Sequence, residues 1–262
     1  MARKFVVATW NVNSIRARIG PVIAWLKKRR PDVLCMQETK VIDEFFPVEP
    51  FTEIGYNVVF RGQKAYNGVA MVSLEKPKKV SYGLDVGKEP DKSRLIRASI
   101  AGVNIVNTYI PQGRDIETEH YKYKLRWFAR LKRFFTKHYT TRKRLIWLGD
   151  LNIAPAPIDV YKPEEKTDHV CYHEGVQVAF RKAFDWGFVD VFRKHRPEPE
   201  LYSFYDYRIG RSGIRRKMGW RVDHILATKT LAKKSVNAGI DMKPRLGPRP
   251  SDHTVMFAEF RI

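Results

Sequence analysis

Short apolar runs recur along this chain, and several stop on a carboxylate or an amide. Leu145-Ile146-Trp147-Leu148-Gly149 runs into Asp150, Val33-Leu34-Cys35-Met36-Gln37 into Glu38, and Phe5-Val6-Val7-Ala8-Thr9-Trp10 into Asn11. Runs of this length, rich in Val and Ile and bounded by Gly, Pro or charge, read as buried strands. The same reading gives strands at 4–11, 33–38, 56–60, 68–74, 95–100, 103–109, 145–150, 221–227 and 255–260. Helical spacing joins Ile15, Ile19, Val22, Ile23 and Leu26, with Ser14 as the expected cap and Pro31 just past the end. A second helix is expected over 121–139, with Leu125, Phe128, Leu131 and Phe135 on one face, and a third over 176–186, closed by Gly187. Ala101-Gly102 reads as a hairpin turn.

That order is not the regular alternation of an all-parallel sheet. Mixed sheets with outer helices fit better. Each half carries a helix followed by a strand that ends in an acid, and two such sheets packed face to face would bring Glu38 and Asp150 together. No stretch reads as an interdomain linker. Residues 163–168 and 197–200 are polar loops, so residues 1–262 are expected to form one α/β domain.

Lys and Arg number 49 against 28 Asp and Glu, a net charge of +21. A surplus this large concerns partners. It is also clustered: from Asp206 to Asp223 no acid intervenes among Arg208, Arg211, Arg215, Arg216, Lys217 and Arg221. The glycines at 210, 213 and 219 make this a cationic loop, which favours a nucleic-acid partner. No apolar run is long enough to span a bilayer, and no long amphipathic helix accompanies the charge, so a membrane partner is not expected. The N-terminus leads into a strand with no signal peptide ahead of it, and the two cysteines, Cys35 and Cys171, suggest no disulfide framework. A reducing cytoplasm is the expected compartment.

The polar residues at the strand ends suit phosphodiester hydrolysis, which must neutralise developing charge, activate a water and stabilise a leaving oxygen. Glu38 and Asn11 offer hard oxygens for Mg²⁺. Asp150 is placed to bind metal or polarise the water. Asn152 would share its face if the strand continued, and would donate to a phosphate oxygen. His253, held by Asp223 or Asp252, would donate as a cation. Taken singly these residues have ordinary readings: a strand-end Glu, a turn acid with a capping Asn, a Ser-Asp-His turn. Their joint occurrence carries the reading. His224 is read as structural, and His169, Cys171 and His173 are too few to make a metal cluster.

Six motifs in order now point to a family: Trp10-Asn11-Val12-Asn13-Ser14-Ile15-Arg16, Gln37-Glu38-Thr39-Lys40, Asn107-Thr108-Tyr109-Ile110-Pro111-Gln112-Gly113, Gly149-Asp150-Leu151-Asn152, Gly219-Trp220-Arg221-Val222-Asp223 and Ser251-Asp252-His253. The chain resembles the exonuclease III family of abasic-site endonucleases, within the endonuclease/exonuclease/phosphatase superfamily. The resemblance implies a four-layer α/β sandwich, two mixed sheets packed face to face between helices. It implies Mg²⁺-dependent incision (Mn²⁺ as a substitute) 5′ to abasic sites in double-stranded DNA, with 3′→5′ exonuclease or 3′-end cleaning. A monomer acting on nucleoid DNA in a prokaryotic cytoplasm is the corresponding expectation.

By the same resemblance, Asn11, Glu38 and Asp252 match metal positions, with Asp150, Asn152 and His253 as further metal candidates. Tyr109 matches the tyrosine beside the scissile phosphate and Asp150 the water-activating acid. Asn152 matches the transition-state amide, and Asp223 the carboxylate that orients His253. Phe204 and Trp220 match aromatics around a pocket for a flipped baseless sugar, whose missing base lowers the flipping cost. Gln112, Arg114, Arg211, Arg215, Arg216 and Lys217 are the further candidates for DNA contact. Asn13 stands where some relatives carry Asp.

Overall fold

A computed structural model describes residues 3–87 and 91–262. One six-stranded sheet holds β1 (Lys4–Asn11), β2 (Val33–Gln37), β3 (Asn57–Arg61), β4 (Val69–Ser73), β11 (Ser235–Asp241) and β12 (Val255–Arg261), in the order β11-β12-β1-β2-β4-β3. The other holds β5 (Lys78–Tyr82), β6 (Leu95–Ile100), β7 (Val103–Tyr109), β8 (Leu145–Asp150), β9 (Phe188–Asp190) and β10 (Asp223–Thr228), in the order β5-β6-β7-β8-β10-β9. Each sheet has one parallel pair at its centre, β1 with β2 and β7 with β8, and antiparallel neighbours on both sides. A parallel pair needs a crossover. Helix α1 (Ile15–Arg29) supplies it in the first sheet and α3 (Glu119–His138) in the second. Five short helices, α2 (Glu49–Thr52), α5 (Val191–His195), α6 (Gly210–Arg215), α7 (Lys229–Ala232) and α8 (Lys243–Leu246), and the longer α4 (Glu174–Phe184) complete the α-helices among the described residues.

Three apolar clusters define four layers. Phe5, Val7, Cys35 and Met71 of one sheet pack against Ile105, Ile146, Leu148 and Ile225 of the other. Ala8, Trp10 and Leu34, on the opposite face of the first sheet, meet Val22, Trp25 and Leu26 of α1. Trp147 and Val106 meet Trp127, Phe128, Leu131 and Phe135 of α3 together with Val176 and Phe180 of α4. Both faces of β8 are therefore covered. That is why residues 145–148 read as an unbroken apolar run and not as an alternation. The expected α/β sandwich of two mixed sheets between helices is the fold.

Ala101 and Gly102 both lie at positive φ, 50° and 74°, between the paired Ile100 and Val103. That is the two-residue turn whose twist suits a hairpin. The strands at 4–11, 95–100, 103–109 and 145–150 stand as expected, and the other expected strands shift by one or two residues. Three differences matter. Ser14 does not cap α1 with its side chain. Its backbone sits at φ 88°, and its N–H donates to Glu38 O at 2.7 Å, tying the start of the helix to the segment after β2. The glycine-rich stretch after Asp206 is not a loop throughout: 210–215 is helical, with Gly213 packed on Ile209. Strand β8 stops at Asp150, and Asn152 lies in the left-handed region at φ 49°. No helix among the described residues is long and apolar enough to cross a membrane.

Candidate active site

The parallel pairs deliver their carboxyl ends to one edge of the sandwich, where ligands of α/β sheets usually bind. Asn11 ends β1 opposite Gln37, the residue before Glu38. Tyr109 ends β7 opposite Asp150, and Asp150 faces Asp223 across the antiparallel β8–β10 pair. His253 precedes β12 and bridges to Phe204. Ser251 Oγ donates to Asn11 O at 2.7 Å, and Trp10 Nε1 donates to His253 O at 3.3 Å, so the last motif is fastened to β1. Below these side chains a buried amide network joins the sheets. Gln37 Nε2 donates to Asn107 Oδ1 at 2.7 Å, and Asn107 Nδ2 donates to Met36 O and Ala70 O. A fully satisfied buried network of this kind fixes the relative position of the two layers.

The two halves meet at Asn11. Its Oδ1 accepts from the Asn13 N–H at 3.0 Å, which fixes the amide orientation, and its Nδ2 donates to Glu38 Oε1 at 2.8 Å and Asp150 Oδ2 at 2.9 Å. Asn11 therefore bridges two carboxylates with its N–H groups. Its oxygen accepts that one N–H and keeps a second lone pair, so the expectation of Asn11 as a metal ligand is not overturned.

His253 Nδ1 lies 2.8 Å from Asp223 Oδ2, and Nε2 lies 3.8 Å from Asp150 Oδ2; all three side chains are buried. Burial alone would lower the imidazole pKa. The charges of Asp223 and Asp150 overcome it and hold the ring protonated above its usual range. Asp150 moves the other way for a carboxyl: burial pushes it up, and His253 and Asn11 only partly offset that. Among the described residues, Asp150, Asp223 and His253 are the one group whose ligand atoms, within 4.8 Å of one another, are close enough to grip a metal unaided. In its cationic form the ring donates from both nitrogens and the group is an acid–base cluster; the metal-ligand expectation for His253 goes with its neutral form.

Asn152 reaches this cluster through a turn. Its N–H donates to Asp150 Oδ1 at 3.0 Å, and its Nδ2 donates to Ile110 O at 2.9 Å and, more weakly, to Asp150 Oδ2 at 3.4 Å. Its Oδ1 faces the Cys171 thiol. The amide presents N–H groups to the cluster, which suits a donor.

On the other flank, Glu38 follows β2 at φ 51°. Burial would raise its pKa, but Lys40, with Nζ 2.7 Å from Oε2, and Asn11 hold it below the usual range. Lys40 Nζ also donates to Asn13 Oδ1 at 2.6 Å, and Asn13 Nδ2 donates to Asp252 Oδ1 at 3.1 Å. A cation thus already stands on the Glu38 carboxylate, and Asp252 lines the same cleft. Hard carboxylate oxygens beside an ammonium stand-in fit a divalent ion that takes few protein ligands. Burial first, and then the charges of Glu38 and Asp150, push the Tyr109 pKa well up, so it stays a neutral phenol. Arg94 lies over its ring at 4.9 Å.

The cleft has a volume of about 770 Å³ and takes in Glu38, Tyr109, Asp150, Asn152, Asp252 and His253. Phe204, Trp220 and Val222 form an apolar wall; Phe204 packs on His253 at 4.9 Å and Trp220 on His169 at 4.5 Å. Gln112 and Arg216 also line it. Arg114 is exposed in a neighbouring groove that shares Tyr109 and Gln112. Arg211 is exposed and lies outside the lining, while Arg215 and Lys217 line a different groove, with Lys217 paired to Glu200 at 2.8 Å. The helical winding of 210–215 sends neighbouring cations to different faces, which a loop reading cannot anticipate.

The segment after β8 contributes more than expected. Glu165 and Lys166, from what read as an ordinary polar loop, form the far rim with the flanking Lys162 and His169. No motif spacing signals them. His173 caps α4 through Gly175 N and meets the Tyr121 hydroxyl at 2.9 Å, apart from any metal cluster. His224 is fully buried. Its Nε2 donates to Ile153 O at 2.8 Å and its Nδ1 accepts from Arg221 at 3.0 Å, in keeping with a structural place.

Residues 8–253 match the endonuclease/exonuclease/phosphatase family. The chain is 32% identical to exodeoxyribonuclease III of Haemophilus influenzae, over 98% of this chain and all of that one. Among solved structures it resembles an AP endonuclease from Archaeoglobus fulgidus, at 50% identity and a TM-score of 0.96, covering 98% of this chain and 100% of that one. It also resembles a 3′ phosphatase from Neisseria bound to product DNA hairpin, at 37% identity and a TM-score of 0.93, covering 98% and 99%. By sequence and by fold, the chain belongs to the endonuclease/exonuclease/phosphatase family, as a phosphodiester hydrolase of the exonuclease III type.

Proposed function

We propose that the protein is a DNA repair nuclease that hydrolyses the phosphodiester 5′ to an abasic site in double-stranded DNA and also trims or cleans 3′ ends. The observation that carries this reading is the meeting of Asp150 with the His253–Asp223 pair beside an apolar wall of Phe204 and Trp220. The names of its relatives, an exodeoxyribonuclease III, an AP endonuclease and a 3′ phosphatase, agree with that activity.

In this mechanism the scissile phosphate lies between His253 and Asn152, which donate to its non-bridging oxygens as charge builds. Asp150, oriented by Asn11 and pushed up in pKa by burial, accepts a proton from the attacking water. The new bond joins the water oxygen to phosphorus, the bond to O3′ breaks, and the departing oxygen takes a proton to leave a 3′-hydroxyl. The neutral Tyr109 phenol packs beside the phosphate. Mg²⁺, held by Glu38 and Asp252, would supply positive charge to the phosphate and the leaving oxygen. Phe204 and Trp220 wall a slot for the baseless sugar, and the net charge of +21 draws the chain to DNA. We read it as a monomer acting on nucleoid DNA in a prokaryotic cytoplasm, in line with its likeness to exodeoxyribonuclease III of Haemophilus influenzae.

The test compares a duplex carrying one tetrahydrofuran site with an intact duplex, both in Mg²⁺. Selective incision on the 5′ side of the lesion supports the proposal. Equal cutting of both duplexes points instead to a less specific nuclease.

A further inference from the structure

Lys124 sits in the second turn of α3 with no exposed surface. Its ammonium donates to three main-chain carbonyls, Asn152 O at 2.6 Å, Val170 O at 2.8 Å and Gln112 O at 3.0 Å, and stands 3.9 Å from Cys171 Sγ. All of these partners are neutral. A buried ammonium without an anion is costly unless its geometry is good and its protons are satisfied. Here each of its three protons has a carbonyl.

The three carbonyls belong to three chain segments, and each segment gives the cleft a lining residue: Gln112, Asn152 and Cys171. Lys124 does not itself line the cleft. It stands behind the floor and joins three loops that have no sheet hydrogen bonds of their own at these points. Of the three, Asn152 carries the amide that reaches Asp150, and its backbone lies in the left-handed region at φ 49°, which Asn tolerates better than other residues with a side chain. The local sequence also leaves a path for the lysine stem. Gly113 lies at φ 102°, and a Cβ there would come within 3.2 Å of Lys124 Cδ and 3.3 Å of the Tyr121 ring.

We infer that Lys124 is a positioning residue for the hydrolytic step, acting through Asn152 by fixing the peptide that aims its amide at the reacting phosphate. The inference rests on the proposed role of Asn152 as the transition-state donor. Misplacing a catalytic group by about 1 Å can cost on the order of 10²-fold in rate.

A double-mutant cycle with Lys124→Met and Asn152→Ala tests it, using kcat per folded molecule on the tetrahydrofuran duplex, with the folded fraction set by circular dichroism. Asn152→Ala alone should cost roughly 10²–10³-fold, the usual loss for one such donor. Lys124→Met alone should lower kcat roughly 10–100-fold and leave KM nearly unchanged. In the Asn152→Ala background the same Lys124 change should cost less than about 3-fold, since the group it positions is already gone. Equal losses in both backgrounds, or an unchanged kcat per folded Lys124→Met molecule, would leave Lys124 a folding staple and overturn the inference. Wild-type kcat in Asn152→Ala would sink the role of Asn152 itself, a separate and visible failure. If Lys124→Met does not fold, Lys124→Gln, whose amide reaches fewer carbonyls, takes its place in the same cycle.

Discussion

His253 Nδ1 lies 2.8 Å from Asp223 Oδ2 while its other ring nitrogen faces Asp150 Oδ2 at 3.8 Å. The imidazole is therefore held between two carboxyl groups, one hydrogen-bonded to Nδ1 and one facing Nε2. Its raised pKa is set by their charges, against the opposing effect of burial. The protonated donor form is full below that pKa and is lost as pH rises through it. Asp223→Asn removes one of the two charges, so the alkaline limb of the kcat profile should move to lower pH, and kcat at pH 7.5 should fall by roughly 10–100-fold. A limb that stays in place would show that Asp223 does not set the charge of His253.

Glu38 shares its carboxylate between Lys40 and Asn11, and the fit to a divalent ion predicts how it should behave when changed. EDTA should bring incision to background, and added Mg²⁺ should restore it. Glu38→Gln should raise the Mg²⁺ concentration for half-maximal rate by about 10-fold or more. Full activity in EDTA, or an unchanged Mg²⁺ dependence in the variant, would remove Glu38 from the metal site.

Arg216 lines the cleft, whereas Arg215 and Lys217 line a separate groove. Their contributions to DNA binding should separate accordingly. Arg216→Gln should weaken binding and flatten the slope of log K against log salt by about 0.9, one phosphate contact. Arg215→Gln with Lys217→Gln should leave the slope nearly as it is. The reverse pattern, read by fluorescence anisotropy across a salt series, would put the DNA on the other face of α6.

His224 links stability to acid. Burial first, and then Arg221, push its pKa down to about 4, while the unfolded chain titrates near 6.5. The unfolded state therefore binds more protons between these values, and stability is lost as pH falls through that window. From pH 7 to pH 5 this group should account for about 2 kcal/mol of lost stability. Gln at 224 can donate and accept in the same directions without titrating. Urea unfolding of His224→Gln should show a drop smaller by about that amount, and an equal drop in both proteins would clear His224 of the effect.

Much of this was legible because strands covered on both faces write themselves as apolar runs and their ends carry the chemistry. Residues 145–150 show it most directly. The missed strands show the limit: Lys78–Tyr82 sits at a sheet edge with two lysines, Phe188–Asp190 is three residues long, and Ser235–Asp241 contains Ala and Gly. None has the long unbroken apolar run that marks a strand covered on both faces. In the site, residue type told where polar groups gather but not how an amide turns. Asn11 carries both an oxygen and an NH₂, and only the backbone N–H of Asn13 decides which one faces Glu38 and Asp150. Lys124 falls at helical spacing with Phe128, Leu131 and Phe135, so its place on the apolar face is legible, but the three carbonyls that receive its ammonium come from distant segments and are not.

Asp150 is where the two sheets and the His253–Asp223 pair converge. Single-turnover incision of an end-labelled tetrahydrofuran duplex in Mg²⁺, wild type against Asp150→Asn, tests its role most directly. The expected result is a 3′-hydroxyl product on the 5′ side of the lesion in the wild type and a rate at least ~10²-fold lower in the folded variant. A variant within about 2-fold of wild type would mean that the water is activated elsewhere, and that this cluster is not the reacting centre.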